Sequence, residues 1–114
     1  MEYSIYYYDK CSTCQKTKVL LENHGVEAKY HSYFDDRLST SAIESLLSKL
    51  GMKASEFIRR KDLFNELKLD GVNESRLIQA MSDNPGLIQR PVLVKGDKAV
   101  VCRPPEKALE LINV

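Results

Sequence analysis

The sequence predicts an α/β fold: a four-stranded mixed sheet with flanking helices and a helical insertion between a βαβ half and a ββα half. Three observations predict it. The first thirty-odd residues read strand, helix, strand, from Tyr3–Tyr8 through a helix opening near Ser12 to a strand over Glu27–Tyr33. The middle carries only helical periodicity. After the break Asp83-Asn84-Pro85-Gly86, two short β-branched runs flank Lys95-Gly96-Asp97-Lys98, and Pro104-Pro105 then opens a last helix.

The elements can be justified in order. Tyr3 to Tyr8 is rich in aromatics around Ile5, a composition suited to a pleated, half-buried strand. The first helix carries Val19, Leu20 and Leu21 and stops at Asn23-His24-Gly25, where Gly25 suits the left-handed position. A strand–helix–strand order makes the first two strands parallel with a right-handed crossover. Ser41-x-x-Glu44 matches a capping box, and Ile43, Leu46, Leu47 and Leu50 repeat at the spacing of one helix face. Gly51 ends that helix. Ala54–Arg60 and Asp62–Leu69 read as shorter helices, with Phe57, Ile58, Leu63, Phe64 and Leu67 packing. Asn73 caps a helix running through Met81, with Leu77, Ile78 and Met81 apolar. Val92–Val94 and Ala99–Cys102 form an antiparallel hairpin. Proline is tolerated at the start of the last helix, whose inward stripe is Ala108, Leu109 and Ile112.

At 114 residues the chain fits a single domain, 1–114. Lysine and arginine number 17 against 16 acidic residues. That balance argues against a broad nucleic-acid or membrane surface, while leaving room for a local anion site. Three cysteines, Cys11, Cys14 and Cys102, are too few for a disulfide scaffold. The start Met1-Glu2-Tyr3-Ser4 has no signal-peptide character, and no apolar run approaches the ~20 residues of a membrane helix. A cytoplasmic location, where thiols are kept reduced, is expected. A zinc site needs about four ligands in a paired framework, and the cysteines with His24 and His31 supply none, so no metal is expected. His24 reads as a helix C-terminal cation and His31 as a strand surface residue.

The chemistry concentrates at Cys11-Ser12-Thr13-Cys14, on the join between the first strand and helix. The first turn of a helix offers unpaired N–H groups and a partial positive charge, and both favour thiolate over thiol. Cys11 is therefore the candidate nucleophile, with the N–H groups around Ser12 and Thr13 as anion donors. Cys14, one turn on, is either a resolving thiol or a packed spectator, and Cys102 a buried strand residue. Three arginines, Arg60, Arg90 and Arg103, lie at element boundaries outside the helix stripes. If they meet near Cys11, their fixed forks of donors form a cradle for a tetrahedral oxyanion.

This order, with C-x-x-C at the first strand–helix junction, resembles the thioredoxin-like arrangement. Four segments carry a closer resemblance, spread across nearly the whole chain: Cys11-Ser12-Thr13-Cys14, Phe57-Ile58-Arg59-Arg60-Lys61, Asn84 through Pro91, and Val101-Cys102-Arg103-Pro104. They resemble the glutaredoxin-coupled arsenate reductase family and its Spx-like relatives. The resemblance implies that Cys11 attacks arsenate, that Arg60, Arg90 and Arg103 bind the oxyanion, and that Pro91 is the cis-proline facing the cysteine. It implies glutathione as co-substrate, glutaredoxin or thioredoxin as partner, and no bound cofactor. Reductases of this kind have Gly-Thr-Ser after the cysteine, whereas this chain has Ser12-Thr13-Cys14. The Spx-like alternative is a redox-responsive regulator that binds RNA polymerase; a third reading is a general thiol–disulfide oxidoreductase.

Overall fold

A computed structural model describes residues 3–8, 10–33, 37–59 and 62–112. In chain order the elements are β1 (Tyr3–Tyr7), α1 (Ser12–Asn23), β2 (Ala28–Ser32), α2 (Thr40–Leu50), α3 (Ala54–Phe57), α4 (Asp62–Glu66), α5 (Glu74–Asp83), β3 (Val92–Lys95), β4 (Lys98–Val101) and α6 (Leu109–Ile112). Single 3₁₀ turns cover Pro85–Leu87 and Pro105–Ala108. The chain forms two compact units, one of Met1–Asp36 with Arg90–Val114, the other of Arg37–Gln89.

The first unit holds the sheet, in the order β2-β1-β3-β4. β1 and β2 are parallel, while β1–β3 and β3–β4 are antiparallel, which makes the sheet mixed and thioredoxin-like as expected. Ile5 of β1 sits opposite Leu93 of β3, and Leu93 opposite Val100 of β4. On this face Ile5, Leu93, Leu21, Cys102, Ala108 and Leu111 form one buried cluster, so α1 and the C-terminal helical segment pack there. Leu93 is fully buried at its centre. Leu93→Ala is expected to lower the unfolding free energy by about 2–5 kcal/mol in denaturant titrations, because the transfer and cavity terms add.

Two stripes differ from the sequence reading. On α1 the buried residues are Cys14, Thr17 and Leu21, while Val19 is 55% exposed. A strand-to-helix entry at Cys11 turns positions 14, 17 and 21 inward, and 3.6 residues per turn then carries Val19 outward. Thr17 is tolerated there because its hydroxyl donates to the Thr13 carbonyl at 2.8 Å. At the C-terminus Ala108 and Leu111 are buried, while Leu109 and Ile112 are half-buried. The chain enters as a 3₁₀ turn rather than an α-helix, so three residues, not four, separate successive inward positions.

The α1 terminus closes as expected. Gly25 takes φ +68°, the Val26 N–H donates to the Leu21 carbonyl at 2.9 Å, and the Gly25 N–H donates to the Glu22 carbonyl at 3.0 Å. This is the paired Schellman pattern, with Val26 packing beside Leu21.

The second unit is helical, in keeping with an insertion. α2 and α3 pack on α5, burying Ile43, Leu46, Leu47, Phe57, Leu77 and Met81. The α2 cap is Ser39, whose Oγ accepts the Ala42 N–H at 3.1 Å, rather than Ser41, which lies inside the first turn. Asn73 caps α5 as expected, accepting the Arg76 N–H at 3.0 Å. Leu67 is 41% exposed because α4 ends at Glu66 and leaves it in the following turn. Glu74 accepts from the Ser55 N–H at 3.0 Å and ties the start of α3 to that of α5.

Candidate active site

The site lies in the first unit, where β1 and β2 end on the same side as the start of α1. The Cys11 N–H donates to the Tyr8 carbonyl at 3.1 Å, and the Gln15 N–H donates to the Cys11 carbonyl at 3.1 Å. Cys11 is therefore the N-cap of α1, in extended geometry and half-buried. No acidic side chain occupies the first turn to compete for its free N–H groups.

The two thiols have unlike environments. Burial pushes the Cys11 pKa upward, but the Cys14 N–H, the Cys14 thiol and the Arg90 guanidinium all donate to its sulfur, and the Arg90 charge adds to them. The net result lies below the ordinary 9.0. Cys14 is buried, and desolvation, with the neighbouring Cys11 adding to it, pushes it up to about 12 in spite of a backbone hydrogen bond from Tyr8 and the Arg90 charge. Cys11 is the ready thiolate and Cys14 the protonated thiol that donates to it. Cys102, fully buried as expected, is held at about 12 by desolvation despite a backbone hydrogen bond from Leu93.

Arg90 immediately precedes β3. Its guanidinium donates to the Cys11 sulfur and to the buried Tyr33 hydroxyl, and lies 5.2 Å from the centre of the Tyr8 ring. Arg103 is exposed, and its Nη1 donates to the Arg90 carbonyl at 3.0 Å. The Arg90–Pro91 and Arg103–Pro104 peptides are both cis, and Pro91 is buried. The Cys102 N–H donates to the Pro91 carbonyl at 2.9 Å, which joins the segment after β4 to the one before β3.

The structure thus brings Cys11, Cys14 and Arg90 together and ties the exposed Arg103 to the Arg90 backbone, with Ser12 exposed and Thr13 half-buried on the first turn of α1. Arg60 lies outside the described residues. His24 and His31 stand apart from the thiols: His24 Nδ1 is 2.9 Å from the Leu20 carbonyl, and His31 stacks on Tyr6. Among the described residues no group of three His, Cys, Asp or Glu side chains could hold a metal ion, and no helix is long and apolar enough to cross a membrane.

Sequence reasoning missed Tyr8 and Tyr33 as members of the site. The available signal was positional. Ligand crevices in α/β sheets lie beyond the carboxyl ends of parallel strands, and both tyrosines directly follow such ends.

The chain is similar to known proteins over nearly its full length. The model of the ArsC family matches residues 6–111. An uncharacterized protein of Escherichia coli, YfgD, is 41% identical over 113 residues, covering 96% of this chain and 95% of that protein. The arsenate reductase of Haemophilus influenzae is 35% identical over 116 residues, covering 98% of this chain and 100% of that one. The solved arsenate reductase from Vibrio cholerae superposes with a TM-score of 0.92 at 33% identity, over 96% of this chain and 97% of that chain. The chain belongs to the ArsC family.

Proposed function

We propose that the protein is a cytoplasmic reductase of arsenate, with Cys11 as nucleophile. The observation that carries this reading is the Cys11 sulfur at the start of α1 with the Arg90 guanidinium hydrogen-bonded to it. A low-pKa thiolate and an anion donor share one spot, which is what attack on a tetrahedral oxyanion requires. The names of the relatives from Haemophilus influenzae and Vibrio cholerae support arsenate as that oxyanion.

In this reading Arg90, Arg103 and the N–H groups of the Ser12–Cys14 turn hold the arsenate oxygens, and Arg60 completes the set. The Cys11 thiolate attacks arsenic, a sulfur–arsenic bond forms, and one arsenate hydroxyl takes a proton from solvent and leaves as water. A second thiolate then attacks the Cys11 sulfur. A disulfide forms, the sulfur–arsenic electron pair passes to arsenic, and arsenite departs reduced by two electrons. The chemistry needs only thiols and no resident cofactor.

Cys14 is the proposed second thiol. It is held up by burial first, and then by donating to and sitting beside an anionic Cys11. Once Cys11 is bonded to arsenic its sulfur no longer carries the charge, and burial alone still opposes Cys14 ionisation, against the Tyr8 backbone hydrogen bond and the Arg90 charge that favour it. Attack by Cys14 leaves a Cys11–Cys14 disulfide that thioredoxin or glutaredoxin reduces; glutathione does the same work in its absence.

The test is arsenate-dependent NADPH oxidation in two arms, one with glutathione, glutaredoxin and glutathione reductase, the other with thioredoxin and its reductase. Turnover in at least one arm is expected. Cys14→Ser is expected to lose the thioredoxin-supported rate and keep one that depends on glutathione. Failure of the wild type in both arms would overturn the reading, and recovery of RNA polymerase in a pull-down would then favour a regulator.

A further inference from the structure

We propose that Tyr8 and Tyr33 are positioning residues that clamp Arg90 so that its guanidinium faces the Cys11 sulfur. The proposal rests on the reading of Cys11 as the nucleophile and adds two side chains that touch neither the thiol pair's disulfide chemistry nor the substrate.

The two tyrosines meet Arg90 differently. Tyr33 follows β2, is fully buried, and accepts a hydrogen bond from the guanidinium through its hydroxyl oxygen. Burial holds that phenol well above its ordinary pKa, so it stays neutral and accepts without competing for the arginine's charge. Tyr8 follows β1 and presents its ring to the same guanidinium at 5.2 Å, within the range of a cation–π contact. A third restraint comes from below, where Arg103 donates to the Arg90 carbonyl at 3.0 Å.

An arginine side chain has four rotatable bonds, and an unrestrained guanidinium beside a thiolate would spend much of its time in water. Parallel pairing of β1 with β2 matters here. The register Tyr7↔Ser32 places Tyr8 and Tyr33 each one step beyond the paired strands, on neighbouring strand ends. The clamp is therefore a product of strand register, and a single oxygen atom of Tyr33 is its polar half. Among the described residues the titratable and charged groups that act with Cys11 are Arg90, which is charged, and Cys14 and Tyr33, which are neutral.

The test uses two alkylating agents of similar size, neutral iodoacetamide and anionic iodoacetate, and requires no arsenate. Cys14 and Cys102 are buried and held at about 12, so the thiol that reacts near neutral pH is Cys11. The ratio of the iodoacetate rate to the iodoacetamide rate reads how well the guanidinium is aimed at an anion above the sulfur. Tyr33→Phe is expected to lower that ratio roughly fivefold and to raise the pH midpoint of alkylation, by loss of a hydrogen bond to a charged group. In an Arg90→Gln background the same substitution should change neither quantity, since it acts through Arg90. Thermal melts check that each variant is folded. If Tyr33→Phe does not fold, Tyr8→Leu removes the other half of the clamp and should lower the same ratio. An unchanged ratio in a folded Tyr33→Phe or Tyr8→Leu variant would overturn the clamp, as would an equal loss with Arg90 already replaced. Because the readout is alkylation, it stands or falls separately from arsenate turnover.

Discussion

Cys11→Ser is expected to remove arsenate-dependent turnover, lowering the rate by roughly 10³-fold or more. The loss is larger than a change of one atom suggests. At position 11 the wild-type sulfur carries its charge below the ordinary thiol pKa because three donors converge on it. A serine hydroxyl ionises far outside the neutral range, and the same donors cannot bring it there. The helix start and Arg90 would remain, so Cys11→Ser should still bind the oxyanion while failing to form the sulfur–arsenic bond. Turnover by this variant in either electron-donor arm would remove Cys11 from the centre of the chemistry.

Arg90→Gln is expected to lower kcat/KM by about 10²-fold, the usual effect of deleting one oxyanion donor from a preorganised site. It should also change the pH profile, and the sign follows from the interaction. Arg90 stabilises the anionic form of Cys11 by a hydrogen bond and by charge, so its removal raises the Cys11 pKa. The thiolate fraction therefore falls most at pH values between the wild-type and variant midpoints, and the two proteins converge at high pH where both are ionised. A variant with the wild-type alkylation midpoint would show that Arg90 does not govern the thiol. Glutamine keeps one donor and loses the charge, so a partial effect on the midpoint measures the share of the hydrogen bond.

Much of the fold was legible because its signals are local. Strand β2 was expected over Glu27–Tyr33 and occupies Ala28–Ser32; α5 was expected after an Asn73 cap and begins at Glu74. Patterns of alternation, caps and glycines act within a few residues, and the elements follow them. Where two local signals compete the reading slips. Ser39 and Ser41 both suit an N-cap, and Glu44 favoured the second, yet the backbone turns extended to helical at Ser39. Phase slips too: a 3₁₀ first turn at Pro105 moved the inward stripe from Leu109 and Ile112 to Leu111.

The candidate site divides along the same line. Cys11 and Cys14 announce themselves by spacing at a strand–helix junction. Arg90 and Arg103 were singled out by their place at element ends and by family resemblance, and their meeting depends on a hydrogen bond between residues 13 apart. Tyr33 carried only the positional signal of following β2, since its partner Arg90 lies far along the chain and the contact exists only once β1, β2 and β3 share a sheet.

The central claim is that Cys11 alone is the reactive thiolate and that an oxyanion binds against it. Mass spectrometry of the reduced protein after brief iodoacetamide treatment, across pH and with or without arsenate, tests it most directly. One alkyl group on Cys11, a midpoint below the ordinary 9.0 and saturable slowing by arsenate are expected. Modification of Cys14 ahead of Cys11, or a midpoint at or above 9.0 with no protection by arsenate, would contradict it.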